Sequence, residues 1–315
     1  MQYTELGKTG ILVSRMCFGA LVIGPLQANL PVEEGARIIK ASLERGVNFI
    51  DTAELYGTYD HIREAIKSSA KRPVVSTKSY AYTAEGAAES LEKARKGLDT
   101  DVIDIFMLHE QESRLTLRGH REALEFYLNE CEKGRIKAVG VSTHHIEVVR
   151  AITDMPEIDV IHPIVNITGI GIGDGSIEEM LAAVKIAYGH GKGVYSMKSL
   201  GGGNLLHSYE ACMDFVLGLP YIHSIAVGMQ SSEEVEMNIC RFEGGQIPDR
   251  LKDLTAVRGK HLHIDNWCEG CGKCIERCGQ GALSMVEGKV TVDKGSCVLC
   301  GYCGSVCPQF AIKIC

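Results

Sequence analysis

Aromatic side chains are scarce in this chain, at 6% of its residues, and it holds a single tryptophan, Trp267. A pocket walled by several indoles is therefore excluded. No apolar run approaches the roughly 18 residues that a membrane-spanning helix needs. The opening residues Met1-Gln2-Tyr3-Thr4-Glu5 lack the basic patch and apolar core of a secretory leader. These absences predict a cytoplasmic protein with no membrane partner. Basic charge is in deficit too: the formal net charge is -7, so no standing nucleic-acid partner, which would need a basic face, is expected. Also missing is the G-x-G-x-x-G turn of an open dinucleotide-binding sheet, since the first candidate strand runs into Gly19-Ala20-Leu21-Val22-Ile23-Gly24. Apolar residues themselves are plentiful, at 45% of 315, enough to bury a sizeable core.

Cysteine is abundant, at 13 residues, and its distribution is uneven. Cys17, Cys131, Cys212, Cys240 and Cys315 are scattered and read as compact apolar filler. The others crowd into an internal repeat, Cys268-x2-Cys271-x2-Cys274-x3-Cys278 and then Cys297-x2-Cys300-x2-Cys303-x3-Cys307-Pro308. Such crowding points to metal rather than to disulfides. In each run three thiolates can wrap one corner of a 4Fe-4S cubane, while the fourth, held three residues on, points away to a second cluster. The alternative, zinc held by C-x2-C pairs, does not require the run twice. The block resembles the bacterial two-cluster ferredoxin domain over residues 262 to 315. That resemblance implies two 4Fe-4S clusters with crossed ligation: Cys268, Cys271, Cys274 and Cys307 on one, Cys297, Cys300, Cys303 and Cys278 on the other. Gly279 departs from the family, which usually has proline there. Ala282 to Val286 and Lys289 to Val292, on either side of Glu287-Gly288, predict a hairpin between the halves.

Ahead of this block, short β-branched runs alternate with longer amphipathic stretches, the pattern of a parallel sheet wrapped by helices. The strand candidates are Arg15 to Gly19, Val47 to Asp51, Val74 to Lys78, Ile103 to His109, Lys137 to Ser142, Val160 to Asn166, Gly193 to Lys198 and Ile222 to Gly228. Helices are predicted at Glu33 to Arg45, Thr83 to Leu98, Arg121 to Lys133 and Ile177 to Tyr188, among others. Eight such units predict an α/β fold, a closed (β/α)8 TIM barrel. Residues 2 to 14 predict a hairpin, with Gly7 and Gly10 in its turn, placed to plug the barrel's N-terminal end. The rhythm stops after Gly244-Gly245-Gln246-Ile247-Pro248. The expected organisation is a barrel over residues 1–258 and a small α+β ferredoxin-like domain over 259–315.

Asp51, Tyr56, Lys78 and His109 fall at or just past the C-terminal ends of successive predicted strands, the face where barrel enzymes keep their active sites. Their local strings are F-I-D-T-A-E-L-Y-G, V-V-S-T-K and I-F-M-L-H-E. Together these resemble the catalytic tetrad of the aldo-keto reductase superfamily, and the likeness runs from the hairpin to Asn238. It implies an NAD(P)H-linked oxidoreductase that interconverts a small carbonyl compound and its alcohol. Hydride delivered to a carbonyl carbon creates an alkoxide, so a proton donor must face that oxygen. Tyr56 would be the donor, with a neighbouring ammonium favouring its ionised form and Asp51 fixing Lys78. His109 would orient the carbonyl.

By the same resemblance Gly19 and Ala20 approach the nicotinamide through backbone, and Ser142-Thr143 stand where the family commonly has Ser-Asn. Thr143 lacks the paired donor and acceptor of an amide; His162 or Asn166 is expected to take part of that role. Met197 stands where many members stack a tyrosine, and Lys198, Ser199, Leu200 and Gly201 through Gly203 would reach the pyrophosphate. A flexible loop is the plainer reading of those glycines. Gly228, Met229, Gln230, Glu234 and Asn238 follow the eighth strand, where NADPH-using members offer a lysine and an arginine. This loop has no basic residue, so NADH is favoured over NADPH, Glu234 accepting from a ribose hydroxyl. Glu233 and Glu234 read equally as ordinary first-turn helix acids. Hydride moves two electrons and a cubane one, so the leading expectation adds a redox protein partner or a further cofactor. The alternatives are an electron-transfer module whose barrel docks to a flavoenzyme, and clusters that are purely structural, clamping a lid.

Overall fold

The computed structural model describes residues 1–67, 69, 71–252 and 260–315. The expected boundary at residue 258 lies outside the described residues. Two short strands come first, β1 (Tyr3–Glu5) and β2 (Leu12–Ser14), paired antiparallel. Between them Gly7 and Gly10 take φ values of +60° and +70°, a conformation that glycine adopts without steric cost. A Cβ on Gly7 would strike the backbone of Gly191 to Gly193, so the turn lies flush on the barrel floor. Leu6 and Val13 enter the barrel from that end and pack with Cys17, Phe49, Ile105 and Met107. The hairpin is a plug, as the sequence predicts.

The closed barrel consists of parallel strands β3 (Met16–Gly19), β4 (Phe49–Asp51), β5 (Val74–Ser79), β6 (Ile103–Gln111), β7 (Ile136–Thr143), β8 (Val160–Pro163), β9 (Gly193–Ser196) and β10 (Ser224–Gly228). β10 pairs with β3, Ile225 opposite Met16, and closes the ring. Their residues are almost all buried because helices cover the outer face and side chains fill the inner one. The predicted helices form at Val32–Glu44, Ala84–Leu98, Arg121–Glu132 and Ile177–Gly189. Thr83 caps the second of these, its hydroxyl accepting from Gly86 N–H at 3.1 Å.

Strands β8 and β9 stop short of their predicted ends at Asn166 and Lys198. Past Pro163 and Ser196 one isolated bridge joins Ile164 to Met197. Asn166 then folds its amide onto Ile170, donating to its carbonyl at 2.9 Å, and Lys198 turns to φ +59°. Both segments leave the sheet to become loops on the barrel's C-terminal face.

The cysteine-rich segment is a small unit of its own. It contains β11 (Leu262–Ile264), β12 (Leu283–Val286), β13 (Lys289–Val292) and β14 (Ile312–Ile314), with β11 paired to β14 and β12 to β13. The predicted hairpin is β12–β13, turning at Glu287 and Gly288 with φ of +49° and +76°, as a two-residue turn of that hand demands. Its core gathers Leu262, Leu283, Val290, Ile312 and Ile314 with Cys268, Cys274 and Cys303.

This unit docks on the barrel's C-terminal face. Asn204, buried between them, donates from Nδ2 to Gly201 O at 2.8 Å and to Ile312 O at 2.9 Å. A Cβ at Gly203 would strike Ile314 O, and one at Gly301 or Gly304 would strike Asn204. The glycines read in the sequence as a pyrophosphate cradle thus admit β14 to close contact with the barrel. Phe310 fills an apolar recess formed by Ile170, Leu205 and Cys212. Among the described residues no helix is long and apolar enough to cross a membrane.

Candidate active site

The four residues singled out by strand position come together at the mouth of the barrel. Asp51 ends β4 and Lys78 lies one residue before the end of β5, so neighbouring parallel strands bring their side chains side by side. Lys78 Nζ reaches Asp51 Oδ1 at 2.7 Å and Oδ2 at 2.8 Å, and Thr52 O at 2.8 Å. The pair is almost wholly buried, and the ammonium donates to Asp51 Oδ2 and Thr52 O. Burial works against the Asp51 charge, but Lys78 and, behind it, His162 and Tyr195 hold the carboxyl below its ordinary range. Tyr195 O–H donates to Asp51 Oδ1 at 2.8 Å.

Tyr56 lies on the short turn Glu54–Tyr56 after β4. Its hydroxyl is 3.4 Å from His109 Nε2, and the Lys78 ammonium stands 5.1 Å from its ring centroid. Lys78 is spent on Asp51 and Thr52, so no ammonium hydrogen bond lowers the phenol. Burial, with Asp51 and Glu110 behind it, instead pushes Tyr56 well above its ordinary value and keeps the hydroxyl protonated. The expectation of an ammonium-ionised phenol is corrected accordingly. Burial also drives His109 down to about 3, leaving the ring neutral. Tyr80 stacks on His109, centroids 4.3 Å apart.

Two connected clefts meet at this point. One runs from Gly19, Asp51, Tyr56, His162 and Met197 past Lys198, Ser199 and Leu200 to Gly228, Gln230, Glu234 and Asn238. Lys313, Ile314, Cys315 and Lys260 of the docked segment border it. Ala20, Ser142, Thr143, Asn166, Gly201 and Met229 do not line it. Ser142 Oγ accepts from Glu110 N–H at 2.8 Å, and Thr143 Oγ1 donates to Gln111 O at 2.6 Å. His162 gives its Nδ1 proton to Tyr195 O at 2.7 Å and lies with Nε2 3.7 Å from Asp51. Glu234 Oε2 accepts from Gln230 N–H at 2.7 Å while Oε1 is 3.4 Å from Lys260 Nζ. Lys260, absent from the loop read in sequence, arrives from beyond the barrel.

The second cleft is lined by Tyr56, Tyr80, His109, Glu110, His144 and Lys198 from the barrel, and by Asp265, Trp267, Gln309, Phe310 and Lys313 from the docked unit. Sequence reading missed Tyr80, Glu110, His144, Phe310 and Lys313. Glu110 had a visible signal, its place directly after His109. The others carry none until the chain is folded.

The eight cysteines of the repeat are the candidate ligands of two clusters. All eight thiols are unbridged. Ala282 N–H points to Cys278 Sγ at 3.4 Å and Ala311 N–H to Cys307 Sγ at 3.3 Å, donors that suit thiolate ligands. Cys274 is pushed up by burial, then by its neighbours Cys307 and Cys268; Cys303 is pushed up to about 11 by burial, then by Cys300 and Cys297. The first grouping crosses the two halves of the repeat. The donor set fits cubane ligation, while among the described residues no three of these side chains are gathered as for a single metal ion.

A model of the aldo/keto reductase family matches residues 15–241, and the 4Fe-4S dicluster domain matches residues 267–311. The chain belongs to the aldo/keto reductase family. Aldo-keto reductase YhdN of Bacillus subtilis is 29% identical over 185 residues, 53% of this chain and 54% of that protein. L-galactose dehydrogenase of Arabidopsis thaliana is 21% identical over 259 residues, 78% of this chain and 77% of that protein. One component of the ion-translocating oxidoreductase complex of Methanosarcina acetivorans is 34% identical over 85 residues, 27% of this chain and 28% of that protein. The chain thus spans about half the length of the first relative and about a quarter of the third. A solved aldo-keto reductase of Bacillus halodurans, in its holo form, superposes with a TM-score of 0.64 at 18% identity, covering 81% of this chain and 95% of that one. That likeness is one of fold.

The buried histidines of this reductase barrel give it a testable pH dependence. Burial pushes His162 down to about 4, against about 6.5 in an unfolded chain. Folded protein therefore binds fewer protons than unfolded between those values, and stability is lost as pH falls through that window. The expected slope is about 1.4 kcal/mol per pH unit for each such histidine. Comparing urea unfolding of the wild type with His162→Asn between pH 8 and 5, the difference should be flat above pH 7 and shrink below 6.5. A difference independent of pH would show that His162 titrates alike in the folded and unfolded chain.

Proposed function

We propose that this reductase is an NADH-linked carbonyl reductase whose dicluster domain exchanges electrons with a redox protein partner. The observation that carries the first half is the buried Asp51–Lys78 pair beside a protonated Tyr56 hydroxyl that meets neutral His109 at 3.4 Å. A bound dihydronicotinamide would supply the hydride, and Gly19, His162, Met197, Gln230 and Asn238 are placed along the cleft to hold it. Tyr56 Oη gives its proton to the carbonyl oxygen as negative charge develops there, which is where a positioned acid lowers the barrier. His109 Nε2 orients that oxygen. Lys78, clamped by Asp51, stands 5.1 Å from the Tyr56 ring centroid and helps to position the phenol.

In the dicluster domain, Cys268, Cys271, Cys274 and Cys307 would hold one cluster, and Cys297, Cys300, Cys303 and Cys278 the other. Each cluster would supply one-electron chemistry. The likeness of this domain to a component of an ion-translocating oxidoreductase complex supports a protein partner.

The preference for NADH rests on Glu234, whose carboxylate borders the cleft and would repel a 2′-phosphate. Lys260, 3.4 Å away, offsets part of that charge. Steady-state turnover should give a higher kcat/KM with NADH than with NADPH, and Glu234→Gln should narrow the ratio. A strong NADPH preference in the wild type would sink this assignment.

A second reading is favoured by the docking itself. β14 lies against Gly203 beside the cofactor cleft, so the dicluster domain also serves as a lid. Iron-free protein tests it. Full carbonyl reduction after iron removal would show that electron transfer through the clusters is not needed for that reaction, and loss of it together with loosened docking would favour the lid.

A further inference from the structure

The substrate-side cleft contains a charge that the reduction chemistry does not use. Lys198 is the second residue beyond β9 and holds φ at +59°; Glu110 and Phe310, which line the same cleft, also take left-handed φ values of +43° and +49°. Such backbone is costly for residues other than glycine and persists where its surroundings impose it. The Lys198 ammonium donates to His144 Nε2 at 2.8 Å and stands 4.8 Å from the Phe310 ring centroid. Its nearest carboxylate oxygen, Glu110 Oε1, is 3.9 Å away, beyond hydrogen-bond range. Glu110 spends its other oxygen on Tyr80 O–H at 2.5 Å. An ammonium carries three donors, and among the described residues only His144 takes one. Lys313, the other cation against Phe310, is satisfied by Phe310 O and by Asp265 at 3.4 Å.

His144, Glu110 and Phe310 line the substrate-side cleft with Tyr56 and His109 and do not line the cofactor cleft. Lys198 itself lines both clefts, but the partners of its ammonium belong to the second, beside Tyr56 and His109, whereas the sequence reading directed it to pyrophosphate. We propose that Lys198 binds a carboxylate on the substrate, so that the reductase acts on carbonyl compounds that carry an anionic group. This rests on the reductase reading above and names its substrate class. A carboxylate would take the free donors of a buried ammonium, a charge-assisted contact stronger than a neutral one. It would also add to the charge of Glu110, which only partly offsets the burial that drives Lys198 down to about 7.

Calorimetric titration of the anaerobic holoprotein with benzoate and with benzamide, in excess NAD+, tests the assignment without requiring turnover. Wild type should bind benzoate about ten-fold or more tightly than benzamide. Lys198→Met should equalise the two, and Lys198→Arg should keep the preference. Equal binding by the wild type overturns the proposal, as does a preference that survives Lys198→Met. A benzoate preference seen without NAD+ and abolished by it would hand Lys198 back to the cofactor and also overturn it. Selective benzoate binding by a protein that reduces no carbonyl compound would support the anion site while sinking the reductase reading.

Discussion

Replacing Tyr56 by phenylalanine is expected to cut kcat for NADH-dependent carbonyl reduction by about 10²- to 10⁴-fold, the usual worth of a positioned general acid. The hydroxyl has one hydrogen-bond neighbour, His109 Nε2 at 3.4 Å, and the ring keeps its place over Lys78. Its removal should therefore leave the barrel folded and the iron content unchanged, so that lost rate reports lost proton donation. KM for NADH should change little, because the hydroxyl stands at the reacting oxygen. A variant that reduces aldehydes as fast as the wild type would remove Tyr56 from the chemistry. The reading of the barrel as a docking platform for a flavoenzyme would then gain.

The second large effect concerns stability. Lys78→Met should destabilise the barrel by about 3–5 kcal/mol, because it leaves Asp51 as a buried carboxylate without a counter-ion. Tyr195 O–H, at 2.8 Å, is too little compensation for a full charge. The expected response is a rise in the Asp51 pKa, so the loss should shrink as pH falls and the carboxyl protonates. Adding Asp51→Asn to Lys78→Met should restore much of the stability while leaving the enzyme inactive. Denaturant unfolding at pH 7 measures all three proteins. A single-variant loss below about 1 kcal/mol would show the pair to be solvated rather than buried.

How far the site could be read in advance differed with the kind of signal. Asp51, Lys78 and His109 were found because a parallel barrel puts strand ends on one face, and strand ends are visible in hydrophobic runs. Thr143 and Asn166 show the limit of that reasoning. Each has suitable polar atoms, yet Thr143 donates to Gln111 O and Asn166 closes on Ile170, choices set by the local path of the chain after its strand. Lys198 could be placed after β9, but the direction of its side chain depends on His144 and Phe310, which lie far from it in sequence.

The sequence by itself determined the two units of the protein. It determined the eight-cysteine repeat, the hairpin plug and the order of barrel strands, because cysteine spacing and strand alternation are local and survive without coordinates. Only the tertiary structure decided that the dicluster domain docks at the mouth of the barrel. That docking depends on Gly203 admitting Ile314, on Asn204 bridging Gly201 to Ile312, and on Phe310 filling a recess between Ile170 and Leu205. These are matches of shape and hydrogen bonding between segments remote in sequence, and no period or motif encodes them.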